Sequence, residues 1–539
     1  MGISRRAFLK ASGAGITALM APQLFARNAF AHHLPGPPVL VSIFLRFGTD
    51  GLTHVAPVDD EWYQTIRPTI GMSSVWDTVG DPQKKRFAEP LGGLYKRAAN
   101  TGSALESGYF HLNANMDEMR NLLYSPGHAE NTAGAQMAIV HALGGSGSHS
   151  HFTAQDACER ANPSQAFGDG WLQRAAEELD LQWQQDGLHP IGSPQVLTGI
   201  ALSGRPIEAL NGSIRGYHMN FPTIDSFKLV SSPYDGDLAE IDTPGDPGRM
   251  AVLKRAYASM GNSPASAPIA LSDLARESGS DIFEAMENMR TVSEDTSYVP
   301  YDYDFRADAA PGTIEEEMIG SNGSTFSTRL RDAARLIKAG STLGTRVMAI
   351  DMPGGWDYHS SVVDATAPHA RLLSQGLARF YKDLGNDAQR VVTIVMSEFG
   401  RTAYENGGDL TSDPPRPPGT DHGDGGICYV IGAGVQGNRV LCRDALQTPA
   451  TVSENISWPG LAPGQLSSHG NYAIPFVNPN DPTNNYAVGE RDLASTIDFR
   501  DVYGDVLKHH MGLDDTRVAN VLRGYQRVPL PDGGCFDAD

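Results

Sequence analysis

Val39–Leu45 reads VLVSIFL, one small polar side chain among seven residues, and it runs straight into Arg46-Phe47-Gly48-Thr49-Asp50-Gly51. A continuous Val/Ile/Leu run without strict alternation marks a strand covered on both faces, as in a parallel sheet packed between helices. Four further runs share this texture: Met137–Leu143 (MAIVHAL), Arg346–Met352 (RVMAIDM), Val391–Met396 (VVTIVM) and Ile427–Ile431 (ICYVI). Their length and their Gly and Pro flanks favour strand over a turn of buried helix.

Helical patterns fill the spaces between these runs. Phe152–Leu179 is one, Phe326–Ala339 another, and His369–Leu384 a third, with Leu372, Leu373, Leu377 and Phe380 at core spacing. Strands alternating with helices predict an α/β fold, a mainly parallel sheet flanked by helices, extending over residues 32–539. From about residue 186 to 322 the texture changes to Gly/Ser/Pro-rich turns. Helices are expected there around Gly248–Met260 and Leu271–Val292, followed by the aromatic-polar Tyr298–Phe305. This span reads as a cap inserted over the core. Thr448–Asn485, rich in Pro, Asn and Gly and containing His469, reads as a long functional loop.

The segments next to the strands direct attention to one edge of the sheet, because ligands of open α/β sheets bind outside the carboxyl ends of the strands. The second run delivers Gly144-Gly145-Ser146-Gly147-Ser148-His149-Ser150-His151, the third Gly354-Gly355-Trp356-Asp357-Tyr358-His359, and the fourth Ser397-Glu398-Phe399-Gly400-Arg401. Thr420-Asp421-His422-Gly423-Asp424 precedes the fifth. Any one such residue can be a helix cap or turn former. Four strand ends carrying them together point to a site. Mixed Asp/His sets suit Zn²⁺ or similar borderline ions, which polarise a phosphoryl or sulfuryl oxygen and activate a hydroxyl. Ser148 and Ser150 open a predicted helix, where a hydroxyl would meet a negatively charged group at the positive end of the dipole. Either serine can equally be a plain N-cap.

The N-terminus has the form of a leader. Ser4-Arg5-Arg6-Ala7-Phe8-Leu9-Lys10 precedes an apolar stretch from Ala11 to Phe25, and Ala29-Phe30-Ala31 provides a small-x-small cleavage site. The paired arginines resemble the twin-arginine export motif, so a folded precursor handed to the twin-arginine translocase and a periplasmic or extracellular mature chain are expected. The apolar stretch is too short and too interrupted for a stable membrane span. Removing residues 1–31 deletes Arg5, Arg6, Lys10 and Arg27 and no acid, moving the formal charge from −21 to −25. A surface that acidic argues against nucleic acid or anionic lipid as a partner. Cys158, Cys428, Cys442 and Cys535 allow three disulfide connectivities, of which Cys428 with Cys442 is one pairing to test.

FLRFGTDGL, SHSHFTAQD, GGWDYH, IVMSEFGRT, GTDHGDGG and the tail DFRDVYGDVLKHHMG resemble the Tat-exported bacterial family called domain of unknown function 1501. That family is regarded as a distant branch of the alkaline phosphatase and sulfatase superfamily. The resemblance implies an alkaline-phosphatase-like core and metal-assisted hydrolysis of phosphate or sulfate esters, small-molecule or envelope-borne. It implies one or two divalent ions, zinc first among them. Asp50 would hold the second metal, and Asp357 and His359 the first. Two registers complete the set: Asp421 and His422 at the second metal, or Glu398 at the second metal with His422 joining Asp357 and His359. The second register is preferred, because Ser397-Glu398 comes directly after its strand. Glu398 and Phe399 then replace an Asp and a metal-binding His of the superfamily pattern. Ser150 or Ser148 would be the nucleophile, His151 and His149 general acids or outer-shell support, and Arg401 or Arg46 the stabiliser of the transferred group. A rival expectation is a catalytically eroded export, assembly or envelope-associated protein that keeps a metal for stability.

Overall fold

The computed structural model describes, with short breaks, residues 36–72, 110–164, 168–186, 198–224, 285–303, 324–407, 416–443, 458–468 and 490–536, together with three short strands between 88 and 107. The expected leader, the helix expected at Gly248–Met260 and His469 lie outside the described residues.

All five expected strands form, and they are the middle of one sheet. In chain order the strands are β1 (Val39–Phe44), β2 (Gln136–Gly144), β3 (Gly199–Leu202), β4 (His218–Phe221), β5 (Val347–Asp351), β6 (Val391–Met396), β7 (Gly426–Gly432), β8 (Arg439–Leu441) and β9 (Ile497–Asp498). Across the sheet they run β8-β2-β7-β6-β1-β5-β3-β4, with β9 also paired to β2 near its C-terminal end. Every pairing is parallel except the two made by β7, which is antiparallel to both β6 and β2. The sheet is mainly parallel, as expected, and Ile427–Ile431 lies in its antiparallel strand. A run buried on both faces carries no directional information, so its composition could not reveal the reversal.

Helices cover both faces. Alternate residues of β1 (Val39, Val41, Ile43) pack with α3 (Ser324–Lys338) and α4 (Val362–Leu384), while Leu40 and Phe44 pack on the other face. That second face is covered by α1 (His151–Arg160), α2 (Trp171–Gln185), α5 (Phe499–His509) and α6 (Asp515–Val521). The single helix expected over Phe152–Leu179 is therefore two. Ala161 takes a left-handed backbone (φ 48°) that closes α1, and Pro163 comes two residues later. Part of the span expected as a cap belongs to the core, because β3 and β4 extend the sheet itself. All four cysteines are buried and none is in a disulfide, so the Cys428–Cys442 pairing does not form. No helix among the described residues is long and apolar enough to cross a membrane.

The reversed strand decides where the loops go. β1, β2, β5 and β6 send their C-terminal loops to one edge of the sheet. Because β7 runs the other way, the loop 416–425 that precedes it opens on the same edge. Its residues reach the site through a two-stranded ribbon in which Arg401 pairs with His422. The sharp turn after β1 uses Phe47 and Gly48 at positive φ, and a Cβ on Gly48 would meet the Phe399 ring at 2.5 Å.

Candidate metal centre

At this edge three imidazoles face one carboxylate. His151 Nε2 lies 3.4 Å from Asp357 Oδ2, while His422 Nε2 and His359 Nε2 lie 3.2 and 2.9 Å from Asp357 Oδ1. The other ring nitrogen of each histidine is tied to an acceptor. His151 Nδ1 donates to Glu398 Oε1 at 2.8 Å, His359 Nδ1 to Asp421 Oδ1 at 2.9 Å, and His422 Nδ1 to the His149 carbonyl at 2.8 Å. An Nδ1–H fixed in this way leaves the Nε2 lone pair available, the usual orientation of a metal-ligating histidine. His151 Nε2 is buried and makes no hydrogen bond. One ligand atom from each of His151, Asp357 and His422 lies within 4.8 Å of the other two, close enough to share an ion at ~2.0–2.2 Å. The donor set fits zinc or a similar ion. Asp357 remains 39% exposed, which leaves the group open to solvent.

Two of the expected ligands stand behind the ring rather than in it. Glu398 is 2% exposed and surrounded by donors: the Phe47 amide at 2.9 and 3.1 Å, Ser397 Oγ at 3.0 Å, Gln155 Nε2 at 2.9 Å and His151. It orients His151. Asp421 orients His359 in the same manner and takes a further contact from Arg491 at 3.2 Å. Asp50 is not in the group at all. Its carboxylate is buried and bidentate with Arg67, at 2.8 and 3.1 Å, and accepts from Thr53 Oγ1 and Leu52 N. With its oxygens so occupied, Asp50 has little left to offer an ion.

Arg401 and Arg46 also hold structure. Arg401 is 2% exposed and donates to the carbonyls of Gly48 (2.8 Å), Phe47 (2.9 Å), Trp356 and Thr420 (3.1 Å each), as well as to Asp357. One guanidinium thus binds three of the converging loops, and its fork is not free for a transferring group. Arg46 is buried against Asp351, Glu159 and Gln155. Ser148 Oγ accepts from the Ser150 amide at 3.1 Å and so shapes the turn. Ser150 is exposed at the N-cap position of α1, and its side chain makes no capping bond.

The protonation pattern results from this geometry. Burial alone would raise the Asp357 carboxyl, but the facing imidazoles of His151, His359 and His422 and the charge of Arg401 hold it well below the usual carboxylate range. Hydrogen bonds to Asp357 and Asp421 push the His359 imidazole up to about 9. That raised value contributes to folding below about pH 6.5, and the contribution disappears as pH rises through 9. His359 Nε2 donates that proton to Asp357 Oδ1, and it must leave before an ion takes that oxygen. Zinc affinity should therefore rise by about tenfold per pH unit between about 7 and 9, read by competition with a chelator of known pH dependence. A flat profile would remove His359 from the centre.

Asp357, His359, Arg401 and His422 fall in one continuous stretch of chain with a recognisable relation to other proteins. Residues 254–461 carry a DUF1501 domain. The matching family is described as a protein of unknown function. No curated protein and no solved structure matches the chain. The DUF1501 match takes in Glu398 and Asp421 as well, whereas His149, His151 and Asp492 lie outside it.

His151 is the member of this group that the sequence by itself assigned to a lesser role. Its signal was available, an imidazole that ends the loop after a strand and opens a helix. Arg67 left no such signal, since nothing near it in sequence marks it as the partner of Asp50.

Proposed function

We propose that this chain is an exported, metal-dependent hydrolase of phosphate or sulfate esters. The observation that carries the reading is the ring of three oriented imidazoles around Asp357, each with Nδ1 tied back and Nε2 directed inward. A zinc-like ion held by His151, Asp357 and His422, with His359 beside them, would supply Lewis acidity toward an ester oxygen. The protein's own groups do the rest. Glu398, Asp421 and the His149 carbonyl fix the tautomers, and Arg401 fixes the loops. Ser150 is the candidate nucleophile, with its hydroxyl not engaged in capping and the amide groups of a ten-residue helix behind it. A group transferred to Ser150 Oγ would sit where the helix N-terminus favours negative charge.

The ester class and the envelope location rest on the resemblance to the alkaline phosphatase and sulfatase superfamily and on the Arg5-Arg6 leader. Mature protein loaded with Zn²⁺ or Mn²⁺ should turn over generic aryl phosphate or aryl sulfate esters. Ser150→Ala should abolish that turnover with metal content unchanged. If the loaded wild-type protein hydrolyses neither ester class nor a phosphodiester, the hydrolase reading is lost. Replacing Arg5 and Arg6 by Lys should leave unprocessed precursor in the cytoplasm, as fractionation would show. Efficient export of that variant would remove the twin-arginine translocase as a partner.

A second reading has its own support. Arg67 occupies Asp50, and Phe399 stands where the superfamily pattern has a metal-binding histidine, so a second catalytic ion has no counterpart in those positions. A chain of that kind would retain one ion for stability in an export or assembly role. Metal removal would then lower the unfolding temperature of a protein without esterase activity.

A further inference from the structure

We infer a second divalent-cation site, formed by His149, Asp424 and Asp492, that shares no ligand with the Asp357 group. His149 Nε2 lies 2.8 Å from Asp424 Oδ1 and 3.8 Å from Asp492 Oδ2, and one ligand atom from each residue falls within 4.8 Å of the others. Two ligands on one ion at ~2.1 Å stand roughly 3–4 Å apart, so small adjustments would seat it. One imidazole with two carboxylates suits ions from Mn²⁺ to Zn²⁺ better than Mg²⁺ or Ca²⁺.

The surroundings have the form of an ion site. Ser467 Oγ donates to Asp424 Oδ2 at 2.6 Å, which fixes the carboxylate with Oδ1 turned toward His149. The Asp492 side chain is fully buried, whereas His149 and Asp424 are 28% and 33% exposed. An ion could enter from solvent and be anchored by the buried oxygen. The three ligands come from three separate segments: the loop after β2, the loop before β7 and the stretch before β9. Binding there would clasp these segments together. It would also fix the His149 carbonyl, which accepts the Nδ1 proton of His422. The His149 ring meets Phe399 edge-on at 6.1 Å, while His151 stacks on the same ring at 5.0 Å. The two groups are thus neighbours without a common ligand.

The test is metal stoichiometry of the full mature chain, dialysed against Zn²⁺ and, separately, Mn²⁺, then measured by elemental analysis. Wild type should hold two ions, Asp424→Asn one, and Asp357→Asn one. Because Asp492 is buried and its replacement can impair folding, His149→Gln serves as the second variant and should also hold one. If Asp424→Asn and His149→Gln both keep the wild-type count, this site does not exist, whatever Asp357→Asn does. If Asp424→Asn loses an ion and Asp357→Asn loses none, the second site stands and the proposed catalytic centre falls.

Discussion

Arg67→Met is expected to destabilise the folded chain by about 3–5 kcal/mol at neutral pH, the usual cost of leaving one member of a buried ion pair behind. Arg67 is fully buried and makes both bonds to Asp50, and it also donates to the carbonyls of Thr402 and Ala403 at 2.8 and 2.7 Å. Its removal strands a carboxylate and two carbonyls away from water. Burial by itself would raise the Asp50 carboxyl, and the Arg67 guanidinium is the main reason it stays below its ordinary value. In the wild type this depressed value contributes stability above about pH 4, lost as pH falls further. The variant lacks that contribution and can protonate Asp50 instead, so its deficit should shrink between pH 7 and pH 4.5. Urea unfolding at the two pH values measures both effects. Arg67→Met combined with Asp50→Leu should recover much of the loss, because two apolar side chains leave no charge unpaired. A different outcome would restore Asp50 as a metal ligand: loss of bound zinc from an Asp50→Asn variant that unfolds like the wild type.

The second large effect concerns the ring of histidines. His422→Ala should release the ion proposed for the Asp357 group, since it deletes one of the three side chains placed to hold it. Glu398→Gln should keep that ion but weaken it by about 10–100-fold, the typical consequence of altering a group that orients a ligating histidine. The amide can still accept from His151 Nδ1, but without the charge that raises imidazole basicity. Comparing the zinc affinity of the two variants decides their roles. Should Glu398→Gln lose as much affinity as His422→Ala, the Glu398 carboxylate itself touches the ion. Asp421→Asn, acting through the more exposed His359, should cost less than either.

Much of the frame was legible in the chain before any tertiary information. The five apolar runs and the helices between them are local patterns, and burial on both faces of a sheet requires just that composition. The gathering of chemistry at one edge was legible for the same reason: residues directly after a parallel strand must emerge at its carboxyl end. Asp357 and His359 could be grouped on that basis alone, whereas His422, which precedes its strand, joined them only through the resemblance to the alkaline phosphatase and sulfatase superfamily. Helix boundaries were less secure. Phe152–Leu179 has a continuous helical pattern, yet a single left-handed residue at Ala161 divides it.

Direction and pairing were decided only by the fold. Nothing in ICYVI specifies which way the strand runs, and the reversal of β7 is what allows His422, placed before its strand, to meet Asp357, placed after another. Glu398 and Asp50 have the same chemical character in sequence, each a carboxylate shortly after a strand. Their fates differ because Glu398 is oriented toward His151 while Asp50 is claimed by Arg67, seventeen positions away. A carboxylate's role depends on which donor reaches it first. That competition is settled by side chains from distant segments, and only their arrangement in space decides it.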